Sequence, residues 1–245
     1  MDPKPAHKPR AASAPRRRSG AAQPLSRERI VDAALQLIED DKLAGFSARK
    51  LGDRLGCEAM SIYHHFPSKQ HLLDALVDHA LASIELPLPG LPPLERIRRL
   101  LHAYRAMAHR WPALFPLVAL HRLNTPTGVR FIETAIELIQ GVLPDAALAA
   151  RHFRVIGYYL TGAGLDETAG YAAGPSAAEP VAGAYIEREC PRLAAAAAVF
   201  QREQWDATFE LGVTALLEAL QRDASATLRR ATAQGREATP QRARR

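Results

Sequence analysis

Residues 47–66 decide the predicted fold, and they read Ser-Ala-Arg-Lys-Leu-Gly-Asp-Arg-Leu-Gly-Cys-Glu-Ala-Met-Ser-Ile-Tyr-His-His-Phe. Apolar residues one helical turn apart predict two short helices that share an inner face, formed by Leu51, Leu55, Ile62 and Phe66. Gly56 lies between the helices and supplies the left-handed backbone that a tight turn needs. Gly52 has no side chain where the two helices would cross. The stretch therefore predicts a helix-turn-helix, whose second helix would lie in a DNA major groove.

The outward residues of this stretch predict a DNA-contacting surface. Arg49 fits a bidentate contact to a guanine edge, which would contribute roughly 1–3 kcal/mol of discrimination. Glu58 has two open interpretations: it accepts from a cytosine amine, or it matches the positive end of the helix dipole. Tyr63 is predicted to donate to a phosphate, with half-buried packing as the alternative. The predicted contact set is Arg49, Lys50, Glu58, Ala59, Met60, Ser61, Tyr63, His64 and Lys69.

Lys69 stands at the first position of the helix that Pro67-Ser68 opens. A cation is disfavoured there, because the positive end of the helix dipole lies at the N-terminus. A phosphate that is gripped by Lys69 together with the free backbone N–H groups would explain the position. A solvated lysine is the alternative.

These residues resemble the TetR (tetracycline-repressor-like) family. The matching positions are residues 46–51, Leu55-Gly56, residues 62–66, Lys69 and Leu72-Leu73. The family hallmark, an aromatic residue followed by a His-Phe pair and a lysine three residues on, is present as Tyr63, His65, Phe66 and Lys69. The resemblance implies an all-α fold. It would have an N-terminal three-helix helix-turn-helix DNA-binding domain and a larger C-terminal helical domain for effector binding and dimerisation.

Prolines and charges divide the chain into four predicted segments. Residues 86–93, Leu-Pro-Leu-Pro-Gly-Leu-Pro-Pro, cannot continue a helix and mark the domain boundary. The predicted segments are a disordered basic arm (1–24), the helix-turn-helix domain (25–85), the helical effector-binding and dimerisation domain (94–222) and a flexible basic tail (223–245). A Gly/Ala/Pro-rich stretch from Gly170 to Gly183 predicts a mobile loop. The excess basic charge lies in the two tails, where it is either merely solvated or adds phosphate contacts.

Composition excludes several classes of protein. No apolar stretch reaches the ~18 residues that a membrane span needs, and no apolar signal-peptide core follows the basic N-terminus. Two cysteines, Cys57 and Cys190, argue against a disulfide scaffold and fit a reducing cytoplasm. The sequence contains no Gly-x-Ser-x-Gly, Gly-rich phosphate loop or Cys-x-x-Cys motif, so an enzyme is not expected. No cofactor and no metal site is predicted.

Apolar stripes on the later helices predict the C-terminal body. In the TetR family the last two long helices pair with their copies, which implies a homodimer interface formed by Gly157, Leu160, Gly164, Trp205, Phe209, Val213, Leu216, Leu217 and Leu220. Packing within one chain is the alternative. The resemblance also implies an effector pocket, for which the candidates are His102, Tyr104, Arg105, Met107, His109, Trp111, Phe115, His121, Phe131, His152 and Tyr158. Tetracycline-binding members end the fourth helix with a histidine, whereas this chain has Glu85, which disfavours a magnesium–tetracycline effector.

The sequence thus predicts a cytoplasmic, ligand-responsive repressor that binds a palindromic operator on double-stranded DNA as a homodimer, without membrane association. A small-molecule effector of unknown identity would release it. The alternative is a helical protein that binds a small molecule or a partner without specific DNA reading.

Overall fold

The computed structural model describes residues 24–168 and 179–237, with side chains up to residue 234, and all regular structure in these ranges is helical. The helices are α1 (Arg27–Gly45), α2 (Ala48–Leu55), α3 (Ala59–His65), α4 (Lys69–Ala82), α5 (Pro93–Arg110), α6 (Phe115–His121), α7 (Pro126–Gln140), α8 (Ala146–Thr168), α9 (Gly183–Glu189), α10 (Pro191–Ala196) and α11 (Trp205–Glu237), with short 3-10 helices at Ala197–Phe200 and Arg202–Gln204. The predicted all-α class is confirmed.

Serine caps fix where the N-terminal helices begin. Ser26, Ser47 and Ser68 are the N-caps of α1, α2 and α4, and each hydroxyl accepts from the backbone N–H three residues on. Such a cap satisfies a donor that the helix itself leaves without a partner. Local sequence therefore sets the register of the N-terminal helices, and α4 begins at Lys69 as predicted.

The C-terminal body is built around α5, α7 and α8. Helix α5 packs against α7, α8 and α11, and α4 packs against α6 and α7, so α4 joins the N-terminal helices to the body. One continuous core runs through both parts, with Leu76, Leu101, Phe115 and Phe209 among its buried residues. Burial of these apolar side chains is the main source of stability.

Two predicted boundaries differ from the structure. The fourth helix ends at Ala82 rather than at residue 85, because Pro87 and Pro89 follow closely. Helix α11 continues to Glu237, so residues 223–237 are helical where a tail was predicted. Residues 223–239 contain no proline and are rich in alanine and arginine, both good helix formers. Residues 1–23 of the predicted arm (1–24), residues 170–178 of the predicted loop (Gly170 to Gly183) and residues 238–245 of the predicted tail (223–245) lie outside the described residues.

None of the described helices is long and apolar enough to cross a membrane.

Candidate DNA-binding surface and ligand cavity

Two glycines hold α2 and α3 in a tight helix-turn-helix. Gly56 has a φ of +70°, in the left-handed region that glycine adopts without strain. A Cβ at Gly52 would lie 2.7 Å from the carbonyl oxygen of Cys57, so only glycine lets the turn approach α2 this closely. Leu51, Leu55, Ile62 and Phe66 are all buried, as predicted. Cys57 is half-buried and packs against the core.

The outward surface of α2 and α3, which we call the reading surface, consists of Arg49, Glu58, Ala59, Met60, Ser61, Tyr63 and His64. Met60 is 64% exposed, and Arg49, Glu58 and His64 are also exposed. Glu58 is the N-cap of α3, yet its side chain makes no capping hydrogen bond and is therefore available to a ligand. Tyr63 is half-buried, which is compatible with both of its predicted roles.

Three cations near the reading surface have partners within the chain. Lys50 Nζ lies 2.6 Å from Asp41, and Arg54 lies 2.7 Å from Asp40. Lys69 Nζ donates to the carbonyl oxygen of Phe46 at 3.3 Å, so its ammonium lies beside the N-terminus of α2. A DNA phosphate would have to compete with these partners, which are exposed or partly exposed and therefore weakly held.

Sequence reasoning missed Arg27. Its guanidinium donates to the carbonyl oxygen of His65 and stacks on the ring of Phe66, 4.1 Å from the ring centroid. Arg27 thus covers the C-terminal end of α3 and adds a cation beside the reading surface. No local sequence signal links Arg27 to α3, because the two are 38 residues apart.

An apolar cavity of about 50 Å³ lies between α5, α7 and α8. Its lining consists of Ile97, Leu100, Leu101, Tyr104, Arg122, Phe131, Ile132, Ala135, Ile139, Phe153, Ile156, Gly157, Leu160 and Thr161. Ligand pockets for drug-sized molecules occupy roughly 300–1,000 Å³, so the cavity in this structure is smaller than such a ligand needs.

The structure brings only two of the predicted effector residues to this cavity, Tyr104 and Phe131. Phe115 lies behind Tyr104, and Met107 is buried away from the lining. The other candidates have separate environments. Trp111 packs on His79, His121 contacts Asn124, His152 faces Asp223 and Tyr158 is 63% exposed beside Arg154. Periodicity identified the helices, but it did not identify which face borders the cavity.

The remaining candidates, His102, Arg105 and His109, belong to a polar cluster that joins α5 to α8 and α11. Arg105 donates to Glu167 on α8 at 2.7 and 3.0 Å and to Asp206 on α11 at 2.8 Å. The Arg105 guanidinium holds the pKa of the Asp206 carboxyl below its usual range. His109 lies 2.6 Å from Glu167, and His102 lies 2.9 Å from Glu210. The hydrogen bonds of this cluster connect α5 to α8 and α11, and its residues are not part of the cavity lining.

The predicted dimer residues lie mostly inside the protomer. Phe209, Val213, Leu217 and Leu220 are at most 5% exposed, and Gly164 is buried where a Cβ would strike the Phe115 ring. Their own chain covers these five residues, and their assignment to a dimer interface stays a prediction. Gly157 and Leu160 border the cavity, while Trp205 and Leu216 are half-buried and pack against neighbours within the chain.

Among the described residues, no group of three or more His, Cys, Asp or Glu side chains is placed to hold a metal ion.

The geometry defines a class of protein: a helix-turn-helix DNA-binding regulator joined to a helical body with a ligand cavity. Comparison with known proteins identifies the family. The model "Bacterial regulatory proteins, tetR family" matches residues 30–76, and "Tetracyclin repressor-like, C-terminal domain" matches residues 87–223. The chain therefore belongs to the TetR family and is a ligand-responsive, DNA-binding transcriptional repressor.

Individual relatives agree with this assignment. The chain is similar to the tetracycline repressor protein class A from transposon 1721 of Escherichia coli, with 29% identity over 195 residues, 78% of this chain and 88% of that protein. It is 30% identical over 150 residues to the HTH-type transcriptional repressor DrrR1 of Streptomyces coeruleorubidus, 58% of this chain and 54% of that protein. The solved structure of Streptomyces coelicolor ActR in complex with actinorhodin is 25% identical, with a TM-score of 0.64, and the match covers 81% of this chain and 96% of that one.

Proposed function

We propose that the chain acts in the cytoplasm as a homodimer that places two copies of α3 in successive major grooves of a palindromic operator. A small molecule that enters the cavity between α5, α7 and α8 releases the DNA. The observation that carries this proposal is the exposed reading surface on the helix-turn-helix, whose turn is fixed by glycine. Helix α4 connects this surface to α7, which lines the cavity. Family regulators of this type are generally not enzymes, and the proposal includes no catalysis.

The reading surface supports sequence-specific contacts. Arg49 at the start of α2 is exposed, and Met60 and His64 are exposed one turn apart on α3. Helix α3 is the helix that a helix-turn-helix presents to base edges. Lys69 and Arg27 flank this surface as cations, which suits them to position the protein on phosphates. Base contacts would then specify the sequence and phosphate contacts would supply the affinity.

The outer faces of α8 and α11 support a different dimer surface from the one that the sequence predicts. Val155 and Tyr158 on α8 are 48% and 63% exposed, and Leu211 on α11 is 73% exposed. Each lies beside the helix face that packs within the protomer, and an interaction site requires that such exposed apolar residues form one contiguous patch. We assign the dimer interface to these exposed faces rather than to the buried stripe. Two short reading helices are needed because one contacts too few bases, and a two-fold dimer reads two half-sites.

Contacts between α4 and the body support coupling of ligand to DNA. Helix α4 packs against α6 and α7, and α7 supplies Phe131, Ile132, Ala135 and Ile139 to the cavity. The Glu39 carboxylate on α1 accepts from the backbone N–H of Ala113 at 3.2 Å, a second link between the two parts. A ligand that widens the cavity would displace α7 and hence α4, which carries the reading helix. Release then depends on the difference in ligand affinity between the two arrangements.

The test is to select genomic fragments that bind the purified protein and to map the protected bases. We expect two inverted half-sites whose centres are about 34–36 Å apart, or a multiple of that, with two protomers per site. Tyr158→Glu combined with Leu211→Glu should give a folded monomer that binds DNA weakly, and Glu218→Lys is the control for an exposed change on α11. A single unpaired site bound by one protomer would contradict the proposal. Failure to select any fragment would favour a partner-binding protein.

A further inference from the structure

The polar side chains of the cavity lining favour a ligand that accepts hydrogen bonds. Three of its side chains are polar, Tyr104, Arg122 and Thr161, and all three can donate hydrogen bonds. No Asp or Glu is part of the lining. A ligand with a negative oxygen would meet donors and a positive charge there, whereas a cationic ligand would meet no opposite charge.

Arg122 is the decisive residue, because it carries a permanent charge into an otherwise uncharged lining. Within the described residues it forms no ion pair, and its only hydrogen bond runs from Nη1 to the carbonyl oxygen of Ala119 in its own turn. The guanidinium has five N–H donors, so most of them remain available. Arginines in such settings usually meet a carboxylate or phosphate, with which the planar fork makes two parallel bonds.

Aromatic rings next to Arg122 favour a flat ligand body. The rings of Tyr104 and Phe131 are stacked, with centroids 5.9 Å apart and an interplanar angle of 28°. The Tyr104 hydroxyl makes no hydrogen bond with the described residues. Burial raises the pKa of Tyr104 and outweighs the opposite effect of the nearby Arg122 charge. The phenol therefore stays protonated and can donate a hydrogen bond close to the guanidinium.

We propose that this cavity binds a planar, mainly apolar organic anion whose single carboxylate pairs with Arg122 and accepts from Tyr104. The inference rests on the proposed function, since it names the chemical class of the effector. The cavity of about 50 Å³ must widen to admit such a ligand. Gly157 in the lining provides room on α8, since a Cβ there would meet no atom within 4 Å.

A matched pair of probes isolates the charge. Binding of 2-naphthoate and of its neutral isostere 2-naphthamide to the full chain is measured by calorimetry. We expect the acid to bind at least about tenfold more tightly, the difference of one charge-assisted hydrogen-bonded pair. Arg122→Gln should remove this preference and leave the amide affinity unchanged, and Arg122→Lys should restore part of it. Arg130→Gln, which removes an exposed charge from α7 outside the lining, is the control and should keep the preference.

Further measurements show where the probes bind and separate this inference from the proposed function. Ala135→Leu fills the cavity and should abolish binding of both probes; undiminished binding would place the site elsewhere and overturn the inference. Equal affinity for acid and amide, a preference that survives Arg122→Gln, or no binding of the acid at about 1 mM would also overturn it. DNA binding without probe is measured on the same samples. If DNA does not bind, the proposed function fails, whereas release by the amide alone overturns only the ligand class.

Discussion

Removal of the partner of the Glu167 carboxylate on α8 should lower the stability of the protein. Glu167 accepts from Arg105 at 2.7 and 3.0 Å and lies 2.6 Å from His109. The side chains of Arg105 and Glu167 are only 12% and 6% exposed, so solvent screens this pair little. Arg105→Met would therefore leave the Glu167 carboxylate, which is largely shielded from solvent, with His109 as its remaining partner.

We expect Arg105→Met to lower the free energy of unfolding by about 3 kcal/mol. Breaking a buried ion pair from one side costs roughly 3–5 kcal/mol, and the lower end applies because His109 still faces the carboxylate. Arg105→Met combined with Glu167→Met removes both charges, and apolar replacement of a buried pair is often neutral. The double variant should therefore lose only about 1 kcal/mol, less than the single variant.

The assay is urea unfolding followed by circular dichroism at one fixed protein concentration, because the stability of a dimer depends on concentration. Arg99→Met is the control: Arg99 pairs with Glu95 on the surface of the same helix and is 55% exposed. Its loss should cost less than about 0.5 kcal/mol. The single variant Glu167→Met completes the comparison. The reasoning is refuted if Arg105→Met costs under about 1 kcal/mol, or if the double variant loses the sum of the losses of Arg105→Met and Glu167→Met.

Two further predictions concern the backbone. At Gly128 a Cβ would lie 1.7 Å from the carbonyl oxygen of Arg122, whereas at Gly157 it would meet nothing within 4 Å. In the same urea assay Gly128→Ala should lower the free energy of unfolding by more than about 3 kcal/mol, and Gly157→Ala should raise it by about 0.5–1 kcal/mol. Equal changes in the two variants would contradict the packing around Gly128. Lys42 interrupts α1 with a φ of +62°. Lys42→Gly should relieve strain of about 1 kcal/mol and raise Tm by about 2–4 °C, so an unchanged or lower Tm would contradict this strain.

The starts of the N-terminal helices and the turn between α2 and α3 could be predicted because their signals are local. Ser26, Ser47 and Ser68 cap the helices where the sequence places them, and Gly56 turns the chain as expected. Each of these signals acts within three or four residues, so no knowledge of distant packing is needed.

The C-terminal site could not be predicted as well because its contacts are distant in sequence. The stripe through Phe209 and Val213 has the spacing of a buried helix face, but periodicity does not say whether the same chain or a second copy covers it. Arg122 follows α6, and its sequence context is that of a surface cation. In the fold, however, Arg122 is part of the cavity lining. Arg105 and Glu167, which are 62 residues apart, illustrate the same limit.

The central claim, sequence-specific DNA reading by α2 and α3, is tested most directly by fluorescence anisotropy. A selected genomic fragment is compared with a scrambled fragment at several salt concentrations, for wild type, Arg49→Ala, Lys69→Ala and the control Arg130→Ala. We predict that wild type prefers the native fragment by at least ~10³-fold. Arg49→Ala should lose about 1–3 kcal/mol on the native fragment only, and Lys69→Ala should weaken both fragments alike and reduce the salt slope by about 1. Absence of binding to either fragment at low salt would contradict the claim.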